Sequence, residues 1–194
     1  MIKGIKQLKG LPPYGPMAIS FPKEWGKKGQ EGMVVEFQTD KETWVGNFRQ
    51  GLGKVDLVQF HPNKSNAIVI AAGDLWLVDA DQHTAENILS WINQAIEVNN
   101  PEGWIFSLQD LAFARFGLKG IIWRTKRLSW DGFKDVCIEN NNLVGYAWDL
   151  SQWCFFEVDL ATGNSMGGVY YDEDPEVLER LHKEALEKLN KKRE

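Results

Sequence analysis

The sequence has few of the residues on which most catalytic and metal sites depend. Its 194 residues include two cysteines and three histidines. His61, His83 and His182 show no i, i+4 spacing, and there is no Cys-x-x-Cys pair, so we expect no zinc site or other metal site. A Gly-x-Ser-x-Gly string occurs at 163–167, but its serine, Ser165, has no obvious histidine partner. The glycine-rich stretch 51–54 precedes a strand pattern rather than the helix start that phosphate binding needs. We therefore predict no catalytic residues and no cofactor.

Long apolar runs and surplus positive charge are also missing. The longest apolar run, 67–72, is too short to cross a bilayer, and the N-terminus lacks the apolar core of a secretory signal. The chain has 22 Lys and Arg against 27 Asp and Glu, a net charge of −5, whereas nucleic-acid binding relies on a basic surface. We expect a cytoplasmic protein that binds neither membranes nor nucleic acids, with Cys137 and Cys154 as buried free thiols.

Short apolar runs separated by polar turns dominate the sequence. The stretches 55–79 and 135–159 each contain three such runs and end in Val-Asp. No helical crossover separates the runs, which predicts antiparallel β-meanders. The predicted strands are 17–21, 32–38, 42–48, 54–60, 66–71, 75–79, 104–107, 111–116, 120–125, 134–138, 143–149, 153–159 and 167–171.

Two segments are predicted to be helices. Thr84 is a suitable N-cap, and apolar residues then recur at spacings of three and four, which predicts a helix over 84–98. A second amphipathic helix, over 174–191, begins at Asp174 with a proline at its first position. The predicted fold class is thus α+β, mainly β: two antiparallel meander halves form open sheets or a sandwich, each followed by a covering helix.

We predict a single compact domain over residues 1–194. Residues 1–30, rich in glycine, proline and lysine, are expected to form an N-terminal arm, and 32–98 and 104–191 are a candidate internal pseudo-repeat. The meanders also look like propeller blades. A propeller needs at least four blades of four strands, and the predicted strands suffice for two or three, so open sheets fit better.

Several motifs resemble a known family. They are WVGNFRQG, VQFHPNKSNAIVIAAGDLWLVD, RLSWDGF, LVGYAWD and FFEVDLATGN. They resemble an uncharacterised bacterial family of β-rich domains, and the resemblance covers about residues 32–170. The resemblance implies a bacterial origin and a chain that acts as one unit. It implies no activity and no site residues, since the motifs are glycines and aromatic residues at turns.

Tryptophan is unusually abundant, with nine copies spread along the chain. Most are expected to pack in the core or on sheet faces with one edge near water, and a few to line a groove. The candidate binding residues combine tryptophans and aspartates at two turns of the second meander with a nearby arginine. They are Trp130, Asp131, Trp148, Asp149, Trp153 and Arg124.

Arg115 and Arg124 interrupt otherwise apolar strands. Each either faces solvent or points inward, where it needs a partner because an unpaired buried charge is costly. Glu36 and Glu157 are candidate partners for an inward arginine.

These features favour a non-enzymatic module that binds a protein partner. A basic partner, such as a toxin nuclease that the module neutralises, would suit the acidic chain. Two alternatives stay open. One is an enzyme acting on a small molecule or carbohydrate, because Asp131, Asp149 and Glu157 lie among tryptophans as carboxylates do in sugar sites. The other is a structural subunit that forms a homodimer through an exposed apolar patch.

Overall fold

A computed structural model describes residues 2–15, 17–26, 29–99 and 101–169. In these ranges sixteen strands form four sheets of four strands each. The chain divides into two compact units, with the boundary between Arg124 and Thr125. None of the helices in the described ranges is long and apolar enough to span a membrane. The helix predicted over 174–191 lies outside the described residues.

The first sheet includes two strands from the segment 1–30 that was predicted to be an arm. Its strands are β1 (Ile2–Gln7), β2 (Ile19–Phe21), β3 (Met33–Thr39) and β4 (Thr43–Phe48), in the order β1-β3-β4-β2. Strand β2 runs parallel to β4, and the other neighbours are antiparallel. Strand β1 was not predicted because lysine and glycine interrupt its apolar residues. A single helical turn, α1 (Lys23–Gly26), follows β2.

The second and third sheets are antiparallel and follow chain order. Their strands are β5 (Leu57–Phe60), β6 (Ala67–Ala71), β7 (Asp74–Asp79), β8 (Thr84–Leu89), then β9 (Ile92–Asn99), β10 (Glu102–Leu108), β11 (Ala112–Gly117) and β12 (Gly120–Arg124). Both sheets belong to the first compact unit. The fourth sheet, in the second unit, contains β13 (Phe133–Glu139), β14 (Asn142–Trp148), β15 (Trp153–Asp159) and β16 (Ser165–Gly167).

The prediction of a helix over 84–98 is wrong. This segment forms β8 and β9, which pair with β7 and β10 respectively. Ile88, Ile92 and Ile96 are four residues apart, a spacing that suits one face of a helix and also one face of a strand. The β-branched residues favour the strand, and Trp91, with a φ of 65°, turns the chain between the two sheets.

Four full sheets need more strands than the sequence predicted. The missing ones are mainly β1, β8 and β9. The predicted strands were therefore too few to count against an arrangement of propeller-like blades. A four-stranded meander is the unit from which propeller blades are built, and the second, third and fourth sheets each have that form.

Strand β6 of the second sheet is buried on both faces. Every residue of β6 has no exposed surface, and alternate side chains enter two different clusters. Val69 packs with the first sheet, whereas Ile68 and Ile70 pack with the third. Two-sided burial explains why β6 is a continuous apolar run rather than an alternating one.

The recurring Val-Asp pair marks a turn. Asp79 and Asp159 each end the third strand of a sheet. The Oδ1 atom of Asp79 accepts hydrogen bonds from the backbone N–H groups of Asp81 and Gln82, both at 3.0 Å. The Oδ1 atom of Asp159 accepts from the N–H and the hydroxyl of Thr162, both at 2.7 Å. Turn chemistry accounts for this similarity, and the internal pseudo-repeat stays a prediction.

The two arginines in apolar strands behave differently. Arg124 is exposed at the end of β12. Arg115 is 4% exposed and donates from Nη2 to the carbonyl of Pro101 at 3.3 Å. Burial lowers the pKa of the Arg115 guanidinium. A backbone carbonyl thus serves as a partner that sequence reasoning did not consider.

Candidate binding surface

Five of the six predicted binding residues lie in the second compact unit. Trp130 and Asp131 belong to the segment that leads into β13, Trp148 ends β14, Asp149 begins the following turn, and Trp153 begins β15. Arg124 ends β12 in the first unit.

Trp148 and Trp153 lie directly opposite each other. They form a register pair between β14 and β15, and their ring centroids are 5.1 Å apart with an interplanar angle of 53°. Because opposite residues of an antiparallel pair point to the same side of the sheet, both indoles belong to one face.

A backbone hydrogen bond holds Trp130 next to Trp148. Its N–H donates to the carbonyl of Trp148 at 2.8 Å. The guanidinium of Arg127 lies 4.7 Å from the Trp130 ring centroid and donates to the Trp130 carbonyl at 3.0 Å. Ser129 is fully buried, and its hydroxyl accepts from the N–H of Trp148 at 3.2 Å and donates to the Gly132 carbonyl. These bonds hold Trp130 beside the end of β14.

Asp149 is engaged in the β14–β15 turn. Its Oδ1 accepts from the N–H and hydroxyl of Ser151 at 2.9 and 2.8 Å, and from the N–H of Gln152 at 2.7 Å. Desolvation raises the pKa of the Asp149 carboxyl, but the hydrogen bonds from Gln152 and Ser151 outweigh it and hold the pKa far below its ordinary value. The Asp149 carboxylate closes the turn through Oδ1, whereas Asp131 is exposed.

Alternation along β14 and β15 extends the tryptophan pair into a larger surface. Tyr146 and Phe155 are opposite each other in the register, and their rings meet edge to face at 5.9 Å. Phe155 is 53% exposed, and Tyr146 and Trp153 are each 39% exposed. We call Tyr146, Trp148, Trp153 and Phe155 the aromatic face. The opposite side of the same strands carries the buried residues Leu143, Ala147, Phe156 and Val158.

A lysine already lies over the aromatic face. Lys134, opposite Tyr146 in the register, places its Nζ 4.7 Å from the Trp153 ring centroid and 5.5 Å from that of Tyr146. Both distances are within the range of cation–π attraction. Lys134 therefore already supplies a cation to these ring faces.

Carboxylates occupy the other end of the same side of the sheet. The register aligns Glu139 with Asn142, Asn142 with Asp159, and Val144 with Glu157. Because these pairs continue the row of Tyr146 and Trp148, Glu139, Glu157 and Asp159 share a side with the aromatic face. Glu157 accepts a hydrogen bond from the amide of Asn142. We call these three carboxylates the acidic end.

The cysteines lie on different sides of the fourth sheet. Cys137 is opposite Val144, on the side of the aromatic face, whereas Cys154 is opposite Ala147, on the buried side. Both are free, and strand β14 separates them. Cys137 is exposed, so its predicted burial is wrong. Desolvation, the hydrogen bond to Glu139 and the nearby carboxylates raise the pKa of the Cys137 thiol.

Comparison with protein families and with curated proteins identifies no relative. No protein-family model matches the chain, and no curated protein is significantly similar to it. Among the described residues, no group of three or more His, Cys, Asp or Glu side chains is arranged to hold a metal ion.

Sequence reasoning found the tryptophans of this surface but missed Tyr146, Phe155 and Lys134. The signal was present: residues 146 and 148, and 153, 155 and 157, alternate with apolar residues of the buried side. The tryptophans were chosen for their place at turns, whereas strand alternation, not turn position, determines which side chains share a face.

Proposed function

We propose that this protein is a non-enzymatic binding module that captures a basic segment of a protein partner on the aromatic face. One observation carries the proposal: exposed aromatic rings and three carboxylates share one side of a single sheet. We further propose a bacterial cytoplasmic setting, which is supported by the two free thiols.

The aromatic face supplies the residue types that dominate binding energy at protein interfaces. Tryptophan and tyrosine are enriched among the residues whose truncation costs most affinity. Trp153 is braced by Trp148, and Tyr146 by Phe155. Paired rings on a regular sheet lose little side-chain freedom on binding, which reduces the entropic cost of association.

The charges favour a basic partner. An arginine or lysine from the partner would displace Lys134, whose Nζ lies 4.7 Å from the Trp153 ring centroid, and take its place over the ring. A second cation further along the partner would meet Glu139, Glu157 or Asp159 at the acidic end. The net charge of −5 also attracts a cationic protein over longer range.

A basic peptide tests the proposal directly. We would titrate oligoarginine into the full chain and follow binding by calorimetry and tryptophan fluorescence. We expect Phe155→Ala to weaken binding about tenfold. The matched control is Phe60→Ala, which removes a phenylalanine that is 43% exposed in the first unit and should leave affinity unchanged.

Charge is tested separately. Glu157→Gln should weaken oligoarginine binding and reduce its salt dependence, while the control Glu86→Gln, an exposed glutamate of β8, should change neither. If oligoarginine binds equally to all four variants, or if its affinity does not fall as salt rises, the proposal is wrong. Binding that is lost only together with a dimer detected by light scattering would instead favour a homodimeric interface.

A further inference from the structure

The last described residues of the fourth sheet lie beside the aromatic face. Residues 170–194, which we call the C-terminal segment, lie outside the described residues. Strand β16 pairs with β15, and the N–H of Gly168 then donates to the carbonyl of Phe155 at 2.8 Å. The N–H of Val169 donates to the carbonyl of Leu128 at 2.7 Å. The C-terminal segment therefore starts next to the strand that carries Phe155.

The side of the sheet that carries the aromatic face is unusually apolar. Met166 lies opposite Glu157 in the register, which places it on this side, and it is 70% exposed. Phe155, in the neighbouring row, is 53% exposed. An antiparallel sheet that faces water on one side normally carries polar residues there. A patch of exposed apolar side chains instead marks a surface that binds another element.

The C-terminal segment has the amphipathic pattern of such an element. Over 174–191 apolar residues recur at spacings of three and four, which predicts a helix with one apolar stripe. A helix of this length gains most of its stability by packing that stripe against a partner. The residues of the apolar stripe are Val177, Leu178, Leu181, Ala185, Leu186 and Leu189.

The dimensions allow this helix to lie over the aromatic face. Between Val169 and Asp174 an extended chain reaches about 17 Å, which exceeds the separation of roughly 10 Å between packed layers. A helix over 174–191 would be about 27 Å long. The rows of the sheet from Trp153 to Asp159 extend over about 20 Å. One helix can therefore cross the whole side, from the aromatic face to the acidic end.

Charges along the C-terminal segment complement those along the sheet. Residues 172–179 include five carboxylates and no basic residue, whereas 188–193 include four basic residues and no acidic one. At the sheet, Lys134 lies over the Trp153 ring, and the acidic end lies at the other end of the same rows. A helix that starts near Trp153 places its carboxylates by Lys134 and its basic residues by the acidic end. The reverse direction would bring like charges together.

We infer that the C-terminal segment docks on the aromatic face of its own chain as a helix over 174–191. Its apolar stripe contacts Tyr146, Trp153 and Phe155, and its basic residues lie beside the acidic end. A basic partner that binds the aromatic face then has to displace the C-terminal segment. This consequence for the partner rests on the proposed function, whereas the docking itself does not.

Thiol crosslinking tests the docking, because Cys137 is exposed on the same side as the aromatic face. Ala185→Cys places a thiol at the centre of the apolar stripe, and the dilute full-length protein is treated with a short bismaleimide. The matched control is Glu187→Cys, which a helix turns to the opposite face. We expect Ala185→Cys to link to Cys137 within one chain at least about tenfold faster than Glu187→Cys. Peptide mass spectrometry distinguishes this product from links to Cys154.

Charge reversal provides a second test in the Ala185→Cys background. Lys191→Glu together with Lys192→Glu should slow the link to Cys137 about threefold, through repulsion by the acidic end. The effect should shrink as salt is added. Lys191→Arg together with Lys192→Arg keeps both charges and should leave the rate unchanged.

The inference is overturned if the thiols at positions 185 and 187 link to Cys137 at equal rates, or if charge reversal does not slow the reaction. It is also overturned if the links join two chains, since the C-terminal segment would then dock on a second copy. No partner takes part in these reactions. A negative result therefore leaves the proposed function intact, and oligoarginine binding tests that function separately.

Discussion

His61 accepts a hydrogen bond at Nδ1 from the backbone N–H of Asn63, at 3.1 Å. The imidazole is 3% exposed, meets the ring of Phe116 edge to face at 5.5 Å, and bonds to the backbone of Gly117. Only an unprotonated Nδ1 can accept a bond. The neutral histidine therefore joins the β5–β6 turn to the third sheet.

This arrangement predicts a loss of stability in mild acid. Burial lowers the pKa of His61 below its ordinary value of 6.5, despite opposing contributions from Asn63, Gly117 and Glu102. The unfolded chain then binds more protons than the folded one, so this stabilisation is complete above pH 6.5 and is lost as the pH falls towards the folded-state pKa. Urea unfolding between pH 7.5 and 5 should show the decrease. His61→Gln should be less stable at pH 7.5 and should lack this pH-dependent component; an unchanged slope in His61→Gln would refute the assignment.

Gly73 is predicted to be intolerant of any side chain. Its φ is +81°, and an added Cβ would lie 2.5 Å from the Cα of Gly53 and 2.8 Å from the carbonyl oxygen of Ile92. Gly120 has a φ of +96° but open space around the same position. Gly120→Ala thus reports backbone strain alone, about 1–2 kcal/mol, whereas Gly73→Ala adds the clash and should cost about 3 kcal/mol or more. Equal midpoints in urea would show that the close approach is unimportant.

Truncation of Ile68 should reveal how much two-sided burial stabilises the second sheet. Ile68 has no exposed surface and contacts the cluster shared with the third sheet. Ile68→Ala should lower the free energy of unfolding by about 3–4 kcal/mol, because it leaves a cavity as well as losing buried methyl groups. Ile122→Ala, at a side chain that is 47% exposed, should cost about 0.5 kcal/mol or less. Chemical denaturation of both variants makes the comparison.

Asp149 is predicted to stabilise a turn rather than bind a partner. Asp149→Ala removes the acceptor for Ser151 and Gln152 and should destabilise the fourth sheet by about 1 kcal/mol. The depressed pKa means that this contribution persists above the ordinary carboxyl value of 3.8 and fades as the pH falls below it. Oligoarginine affinity at neutral pH should not change. A large loss of oligoarginine affinity in folded Asp149→Ala would show that this carboxylate contributes to binding.

Prediction from the sequence succeeded where the spacing of apolar residues fits only one type of secondary structure. The alternation in β14 and β15, bounded by asparagine and aspartate turns, has no helical counterpart, and both strands were predicted. In 84–98 the spacing of the isoleucines fits one face of a helix and also one face of a strand. Only the pairing with β7 and β10 decides in favour of strands. Strand β1 has Ile2 and Ile5 as its apolar residues and is stabilised by pairing with β3, a contact that no local pattern encodes.

The composition of the proposed surface was predicted only in part for a similar reason. Trp148 and Trp153 were chosen correctly as neighbours, since a short turn joins their strands. Asp149 was chosen for its charge, although Asp-x-Ser sequences favour side-chain capping of a turn. The positions of Lys134 and Glu139 depend on an irregularity in the register of β13 between Lys134 and Cys137, which the sequence alone does not reveal.

The two-sided burial of β6 affects how this strand reaches its register during folding. When a strand is apolar on both sides, shifting it by one residue still places apolar side chains on both faces. The hydrophobic pattern therefore cannot fix its register. The turns at its ends must do so, through Asn63 with its bonds to Ser65 and Asn66 and through Gly73. Until neighbours cover it, the uncharged, proline-free stretch 67–71 is a template for intermolecular β-pairing. Lys64 before it and Asp74 after it are the charges that oppose such self-association, and replacing both should make the chain aggregate during refolding.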